Sequence, residues 1–398
     1  MRMRHKLYYL WIKTYESIRT LNLNDIMFKN WILIRFRKVS HDVRKVRRMI
    51  RSKHYQQAID YAQTKLSRKQ FYPPLNLMKY TAHAYKHCGE FDKANELAER
   101  VLFNFGGITV RTLIQTIDEI NHFDPTIKTI YQFQGGAENL GVCIHSTEHP
   151  LYFTKIIPYF KFHDNREVEF YSRIEHEFKP LKEFVPKFYA SAKDSIHPLQ
   201  YLTTHFIDKI DIGLERLTDL IEFDEVCRKI PYQSISFKQG SYQATNRLLH
   251  DPLLLFSMIQ HLKGKVKHPL IQSIEPKAYN RVKECSRKIN PKKHYCLLHN
   301  DLHHKNVFWD TTDNKLIVLD WNTYGWGLKG IDVIKFVSHF KLDFNWFKHI
   351  YLDKIDDENK QLLVFLLIYY KVQQNKDIQS EIDFFYLPAY QYLTQERE

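Results

Sequence analysis

The chain has 398 residues, 44% of them hydrophobic and 15% aromatic, with a formal net charge of +14. Such a length suggests two or three domains with a substantial core, and the composition excludes an intrinsically disordered chain. Five scattered cysteines (Cys88, Cys143, Cys227, Cys285 and Cys296) lack redox or metal-ligand spacing, which points to a reducing cytoplasm and away from a disulfide scaffold.

The charge sits at the start of the chain. Residues 1–53 hold 15 Lys/Arg against Glu16, Asp25 and Asp42, +12 of the total, so the remainder is close to neutral. The basic N-terminal segment, 1–38, shows no clear hydrophobic period. With Tyr8, Tyr9, Leu10, Trp11 and Ile12 interleaved, it reads either as a solvated face or as a surface that sits on an anionic membrane. The second option gains about 1 kcal/mol per basic residue near the lipid. No recognised module accompanies the charge, so nucleic acid is not an expected partner. The run Leu7–Ile12 is too short for a signal peptide and lacks a small-residue cleavage site. A cytoplasmic location follows, with attachment to the inner membrane face if the basic segment binds lipid.

From 39 to 121 the pattern is helical and repeats. Tyr55, Ala58, Ala62 and Leu66 line up, at an offset of 36, with Phe91, Ala94, Ala98 and Leu102. Small residues at i and i+4 let helices approach closely. Ala82 and Ala84 lead into Tyr85–Gly89, a helix with a glycine stop. The arrangement resembles tetratricopeptide repeats, whose period is about 34 residues and which need about three copies to stand alone. Two copies predict either packing against the following domain or completion by a helix at 108–121. The region is expected to serve as a docking surface for a protein partner or as a structural brace.

The pattern then changes. Strands are expected at 127–133, 140–145 and 151–157, with Gly135, Gly136 and Asn139 in the first turn. Gly-Gly there serves either a plain hairpin or a loop whose N–H groups approach phosphate oxygens. Lys155 falls on the third strand. Asn165–Ile174 reads as a helix in which Glu167 shares a face with Phe170 and Tyr171, while Glu169 points about 200° round. Further strands are expected at 188–192 and 200–207, the second ending near His205 and Phe206. Residues 213–290 read as mostly helical around a loop at 231–241. Leu362–Tyr370 is the most apolar stretch, but nine residues cannot span a bilayer that needs about 20. It predicts a buried helix.

The stretch that carries chemistry is His299–Asp332. A short apolar strand, Leu316–Leu319, delivers Asp320 to its C-terminal tip, beside Asp301 and Asn306. A loop carboxylate, an amide five residues on and a carboxylate ending the next strand are the parts that a Mg-nucleotide phosphotransferase needs. His299-x-Asp301-x-x-x-x-Asn306 followed by Asp320-Trp321 resembles the catalytic core of the aminoglycoside phosphotransferase and choline kinase superfamily.

That resemblance implies an α+β, two-lobed protein-kinase-like fold preceded by the helical repeats, with an N-lobe at 122–206 and a C-lobe at 207–398. It implies ATP and Mg²⁺ as cofactors. Asp301 would receive or orient the acceptor hydroxyl, and Asn306 and Asp320 would hold the metal. Lys155 would contact the nucleotide phosphates, with Glu167, preferred over Glu169, fixing its ammonium. Gly135, Gly136 and Asn139 would line the phosphate loop, and the backbone at His205 and Phe206 would meet adenine. His299 would brace the loop, and Asp332 would tie its backbone down or cap a helix. Asn300 replaces the arginine of many protein kinases, and only eleven residues separate Asp320 from Asp332. Both favour a small-molecule acceptor: a sugar, a glycolipid or an amino alcohol such as choline. For a quaternary ammonium, Trp321, Tyr324, Trp326 and Trp346 are candidates for an aromatic cage. Zinc binding by His303 and His304 is disfavoured, because adjacent imidazoles in a short loop point apart. A pseudokinase scaffold acting through the repeats and a protein kinase are the alternative functions.

Overall fold

The computed structural model describes residues 41–67, 75–132, 139–158, 165–194, 197, 199–230, 252–355, 359–374 and 377–395. The basic segment 1–38, and the membrane contact expected of it, lie outside the described residues. So do Gly135 and Gly136. The chain divides into two compact units. One comprises the chain up to 164 together with 188–206; the other comprises 165–187 together with 207–398.

In the first unit, helical turns at 41–51 precede α1 (Tyr55–Leu66), α2 (Leu75–His87), α3 (Phe91–Gly106) and α4 (Val110–Asn121). The aligned alanines do what their size permits: Ala58, Ala62, Ala94 and Ala98 are all buried at helix contacts. Gly89 stops α2 with φ 78°, a conformation that suits glycine. A fully antiparallel sheet follows, in the order β1-β2-β3-β5-β4, from β1 (Lys128–Gln132), β2 (Gly141–Ser146), β3 (Pro150–Pro158), β4 (Phe188–Lys193) and β5 (Leu199–His205). Helices and sheet share one core, in which Ala58, Leu97, Leu113 and Ile117 meet Leu140, Cys143, Ile156 and Tyr201. The helical region therefore packs on the sheet and is continued by α4. A buried polar ladder crosses four strands. Thr129 Oγ1 meets His145 Nδ1 (2.8 Å), His145 Nε2 meets Thr154 Oγ1 (2.7 Å), and Thr154 meets Thr203 (2.9 Å). Desolvation pushes His145 down to about 4, so the imidazole is neutral and the ladder is satisfied without charge.

The second unit starts with α5 (Arg166–Ile174). Asn165 caps it, its side-chain oxygen accepting from Glu167 N (2.9 Å) and Val168 N (3.3 Å). The chain returns at β6 (Lys209–Asp211) and α6 (Leu217–Lys229), then α7 (Pro252–Leu262) and α8 (Pro269–Arg287). Next come β7 (Tyr295–Leu298), β8 (Val307–Asp310), β9 (Lys315–Val318), β10 (Gly325–Leu328), α9 (Ile331–Val337), α10 (Lys360–Gln374) and α11 (Leu387–Thr394). Two small sheets, β10-β7 and β6-β8-β9, carry the catalytic-type loop at their ends. Leu362–Ile368 are all buried within α10, as their hydropathy demands. Among the described residues, no helix is long and apolar enough to cross a membrane.

Candidate active site

The loop between β7 and β8 is held from three directions. Asp332, at the start of α9, accepts from His299 N through Oδ2 (2.6 Å) and from Asn300 N through Oδ1 (3.0 Å). Both sequence readings of Asp332 thus reduce to one: its carboxylate spends itself on the loop. Burial pushes its carboxyl up to about 7, against the opposing pull of Lys335 and the two N–H groups. Thr323 Oγ1 donates to the His299 carbonyl (2.9 Å), and Asn300 Nδ2 donates to the Thr323 carbonyl (3.1 Å).

His299 is fully buried. Its Nε2 donates to the Leu319 carbonyl (2.9 Å), and its Nδ1 accepts from Asp301 N (3.3 Å). One ring nitrogen gives and the other receives, so the partners select a single neutral tautomer. Desolvation agrees, pushing His299 down to about 4. The imidazole ties the start of the loop to the end of β9, one residue before Asp320.

Asp301 itself projects outward, its side chain 55% exposed. Asn306 is buried, and its Nδ2 donates to the Asp301 carbonyl (3.0 Å). The Asn306 amide is thereby oriented, with its nitrogen committed to the loop. Asp320 takes the left-handed conformation, φ 66° and ψ 58°, as does Asn300 at φ 66°. Asp and Asn tolerate this region better than other side chains, and such strain concentrates where geometry is overdetermined. Asn322 Nδ2 donates to Asp320 Oδ1 (2.7 Å), while Asn322 Oδ1 is buried without a hydrogen-bond partner among the described residues. Asn306, Asp320 and Asn322 carry amide and carboxylate oxygens and no thiolate, the donor chemistry that suits Mg²⁺.

Glu167 and Glu169 are separated cleanly. Glu167 is 2% exposed, whereas Glu169 lies outward against Arg173 (3.3 Å). The helix carrying them is pinned to the turn after Asp320. Phe170 stacks on Trp321 (4.1 Å, 6°), and Arg166 Nη2 donates to the Tyr324 carbonyl. Burial pushes the Tyr171 phenol well up, and the charges of Glu167 and Asp320 add to it, so both carboxylates face that ring.

Two expectations change, and one residue was missed. Trp321 and Tyr324 are fully buried and Trp326 nearly so, while Trp346 is 41% exposed. Trp321 packs on Phe170 and His299 and donates Nε1–H to the Val318 carbonyl (3.0 Å). These rings are core, and a cage for an ammonium needs accessible ring faces, so the cage reading is withdrawn. In the first unit, the Phe206 N–H donates to the Leu151 carbonyl (2.9 Å), so it is not available to adenine. Finally, the sequence reading missed Lys335. This half-buried ammonium, one turn after Asp332, donates to the Asn300 carbonyl and feels both Asp332 and Asp301.

The remaining site residues lie in the first unit. Lys155 is half-buried on β3, opposite Val142 and Leu202. The carbonyl of Asn139 accepts from Lys79 Nζ (2.5 Å), and His205 ends β5 with its ring against Tyr152 (5.1 Å).

A model of the phosphotransferase enzyme family matches residues 129–349, more than half of the chain. The chain belongs to the phosphotransferase enzyme family. Solved structures similar to it include a spectinomycin phosphotransferase, APH(9)-Ia, in complex with ADP and spectinomycin. The two share 15% identity, covering 72% of this chain and 94% of that one, with a TM-score of 0.43. A Plasmodium vivax ethanolamine kinase matches at 13% identity over 75% and 93% of the two chains, TM-score 0.41. The choline kinase LicA from Streptococcus pneumoniae matches at 12% over 71% and 98%, TM-score 0.35. No curated protein matches the chain.

Proposed function

We propose that this phosphotransferase is ATP- and Mg²⁺-dependent and acts on a hydroxyl of a small molecule. The observation that carries this function is the loop geometry. One exposed carboxylate, Asp301, stands on a backbone clamped by Asp332, His299 and Thr323, with the Asn306 amide bound to its carbonyl and Asp320 following the Leu319 carbonyl that His299 holds. A clamped loop suits phosphoryl transfer, where positioning and electrostatics supply most of the rate. Asp301 accepts or orients the acceptor hydroxyl proton as the acceptor oxygen bonds to the γ-phosphorus and the bond to the β-phosphate oxygen breaks. Asn306 and Asp320 are the residues that would hold Mg²⁺. The bound ion supplies charge neutralisation at the phosphate oxygens.

Lys155 is assigned to the nucleotide phosphates and Glu167 to its ammonium, by the family pattern and because Glu169 is occupied by Arg173. Asn139 and the His205 backbone are assigned to nucleotide contact, and His299 to holding the loop. The helices α1–α4 are read as a brace for the sheet, with which they share a core. Calorimetric titration of ATP with and without Mg²⁺ tests the reading. Wild type should bind only weakly without the ion, and Asp320→Asn should lose the Mg²⁺-dependent gain. Binding indifferent to Mg²⁺ in both proteins would refute it.

A further inference from the structure

Beside Asp301 lies a group of side chains that the reaction does not use. The rings of His303, His304 and His339 form a triangle with centroid separations of 6.0, 5.8 and 5.2 Å. His303 and His304 come from the loop itself, and His339 follows α9. Among the described residues, no group of three His, Cys, Asp or Glu is spaced to hold a metal, so the triangle is a hydrogen-bonding surface and not a zinc site.

Two of the rings have their nitrogens assigned by partners. His303 Nδ1 accepts from Lys305 N (3.1 Å), which leaves Nε2–H on the side of Asp301 Oδ2, 3.8 Å away. That separation is too long for a hydrogen bond and leaves room for the oxygen of a third group. Gln374 Nε2, an amide nitrogen that can only donate, donates to His339 Nε2 (3.3 Å). His339 then carries its proton on Nδ1. His304 makes no hydrogen bond among the described residues, and its ring meets the edge of Phe340 (6.5 Å).

We propose that His303, His304 and His339 form the acceptor-recognition surface of the phosphotransferase, and that the acceptor is an uncharged polyol such as a sugar rather than a cationic amine. The proposal rests on the function assigned above. With their lone pairs taken by Lys305 N and Gln374 Nε2, His303 and His339 each present one ring N–H, which suits the oxygen of a hydroxyl and not an ammonium, a group with donors only. Each of these two accepted hydrogen bonds needs a ring lone pair, so His303 and His339 are uncharged in this arrangement.

The charged groups nearby argue against an ammonium. The carboxylates facing His303 and His339 are Asp301 and Asp320, both already assigned to the transfer itself, and Lys305 faces the same rings. Lys335 faces Asp301 from below. Among the described residues, an ammonium placed here would meet lysines with no further carboxylate to balance them. Trp321 and Tyr324, both buried, offer it no ring face.

The test uses the full chain with Mg²⁺ and ATP against two panels. One contains glucose, galactose, mannose, ribose and glycerol; the other contains choline, ethanolamine and kanamycin. Turnover in the first panel and little in the second is expected. His304→Ala and His339→Ala should each raise KM for the preferred polyol by about tenfold, the worth of about one hydrogen bond, with a much smaller change in kcat. His339→Asn, which keeps a neutral donor and acceptor, should recover part of that loss. Preferred turnover of choline, ethanolamine or kanamycin overturns the proposal, as does an unchanged polyol KM in both alanine variants. Failure of every polyol also overturns it. If Mg²⁺-dependent ATP binding persists in that case, the proposed function stands while the acceptor class falls.

Discussion

Above about pH 7, where its carboxyl is ionised, replacing Asp332 by asparagine removes one charge and almost no volume. The carboxylate is 1% exposed and accepts from two backbone N–H groups, at 2.6 and 3.0 Å. An asparagine oxygen can serve one of them. Its NH₂ then faces the other donor, leaving a buried N–H without a partner at about 1–3 kcal/mol. The half-buried Lys335 ammonium also loses the carboxylate that most favours its charge, which adds to the cost. A total of about 2–4 kcal/mol is expected, a large share of a typical folding free energy of about 5–15 kcal/mol. The loop that bears Asp301 should loosen as well, and a shift of about 1 Å at a reacting group can cost about a hundredfold in rate. Urea unfolding followed by tryptophan fluorescence reads the first effect, and kcat at saturating substrates reads the second. An Asp332→Asn variant with an unchanged unfolding midpoint and full turnover would refute the reasoning, because the clamp would then carry neither stability nor position.

The fully buried His299 has its pKa lowered to about 4 from an ordinary 6.5, so its stabilising contribution is present above 6.5 and lost as pH falls through 4. Up to about 3 kcal/mol should go over that window. Stability against pH for His299→Gln should be flatter there than for wild type, and parallel curves would contradict the assignment. Gly330 has φ 89°, and a Cβ there would lie 2.5 Å from Tyr351 Oη and 2.9 Å from Arg228 Nη2. Gly330→Ala should therefore destabilise by about 1–3 kcal/mol or more in thermal unfolding, from overpacking and backbone strain together. Asn165→Ala removes the cap from Glu167 N and Val168 N and should cost about 1 kcal/mol by the same assay.

Much of the local order was readable because it follows from short-range rules. The spacing of His299, Asp301 and Asn306 marked the loop, the apolar run before Asp320 marked β9, and Asn165 before Glu167 marked the start of α5. The 36-residue offset of Ala58–Ala62 with Ala94–Ala98 placed four small residues that prove to be buried together. What escaped depended on long-range packing. Aromatic residues read alike whether they face solvent or core, so Trp321 and Tyr324 suggested a cage until Phe170 was found stacked on Trp321. Lys335 could have been suspected from its place one turn after Asp332. His339 could not, because 35 residues separate it from His304 and only the return of α9 brings the rings together. The commitment of the Phe206 N–H to Leu151 likewise depends on the β3–β5 register, which no local pattern encodes.

The central claim is that Asp301 serves the acceptor while other side chains hold the nucleotide. It is tested most directly by following transfer of the γ-phosphate of labelled ATP to the polyol panel for wild type and Asp301→Asn, with Mg²⁺-dependent ATP affinity measured on the same samples. The account predicts unchanged nucleotide affinity and turnover reduced by at least about a hundredfold. Turnover by Asp301→Asn at the wild-type rate would contradict it.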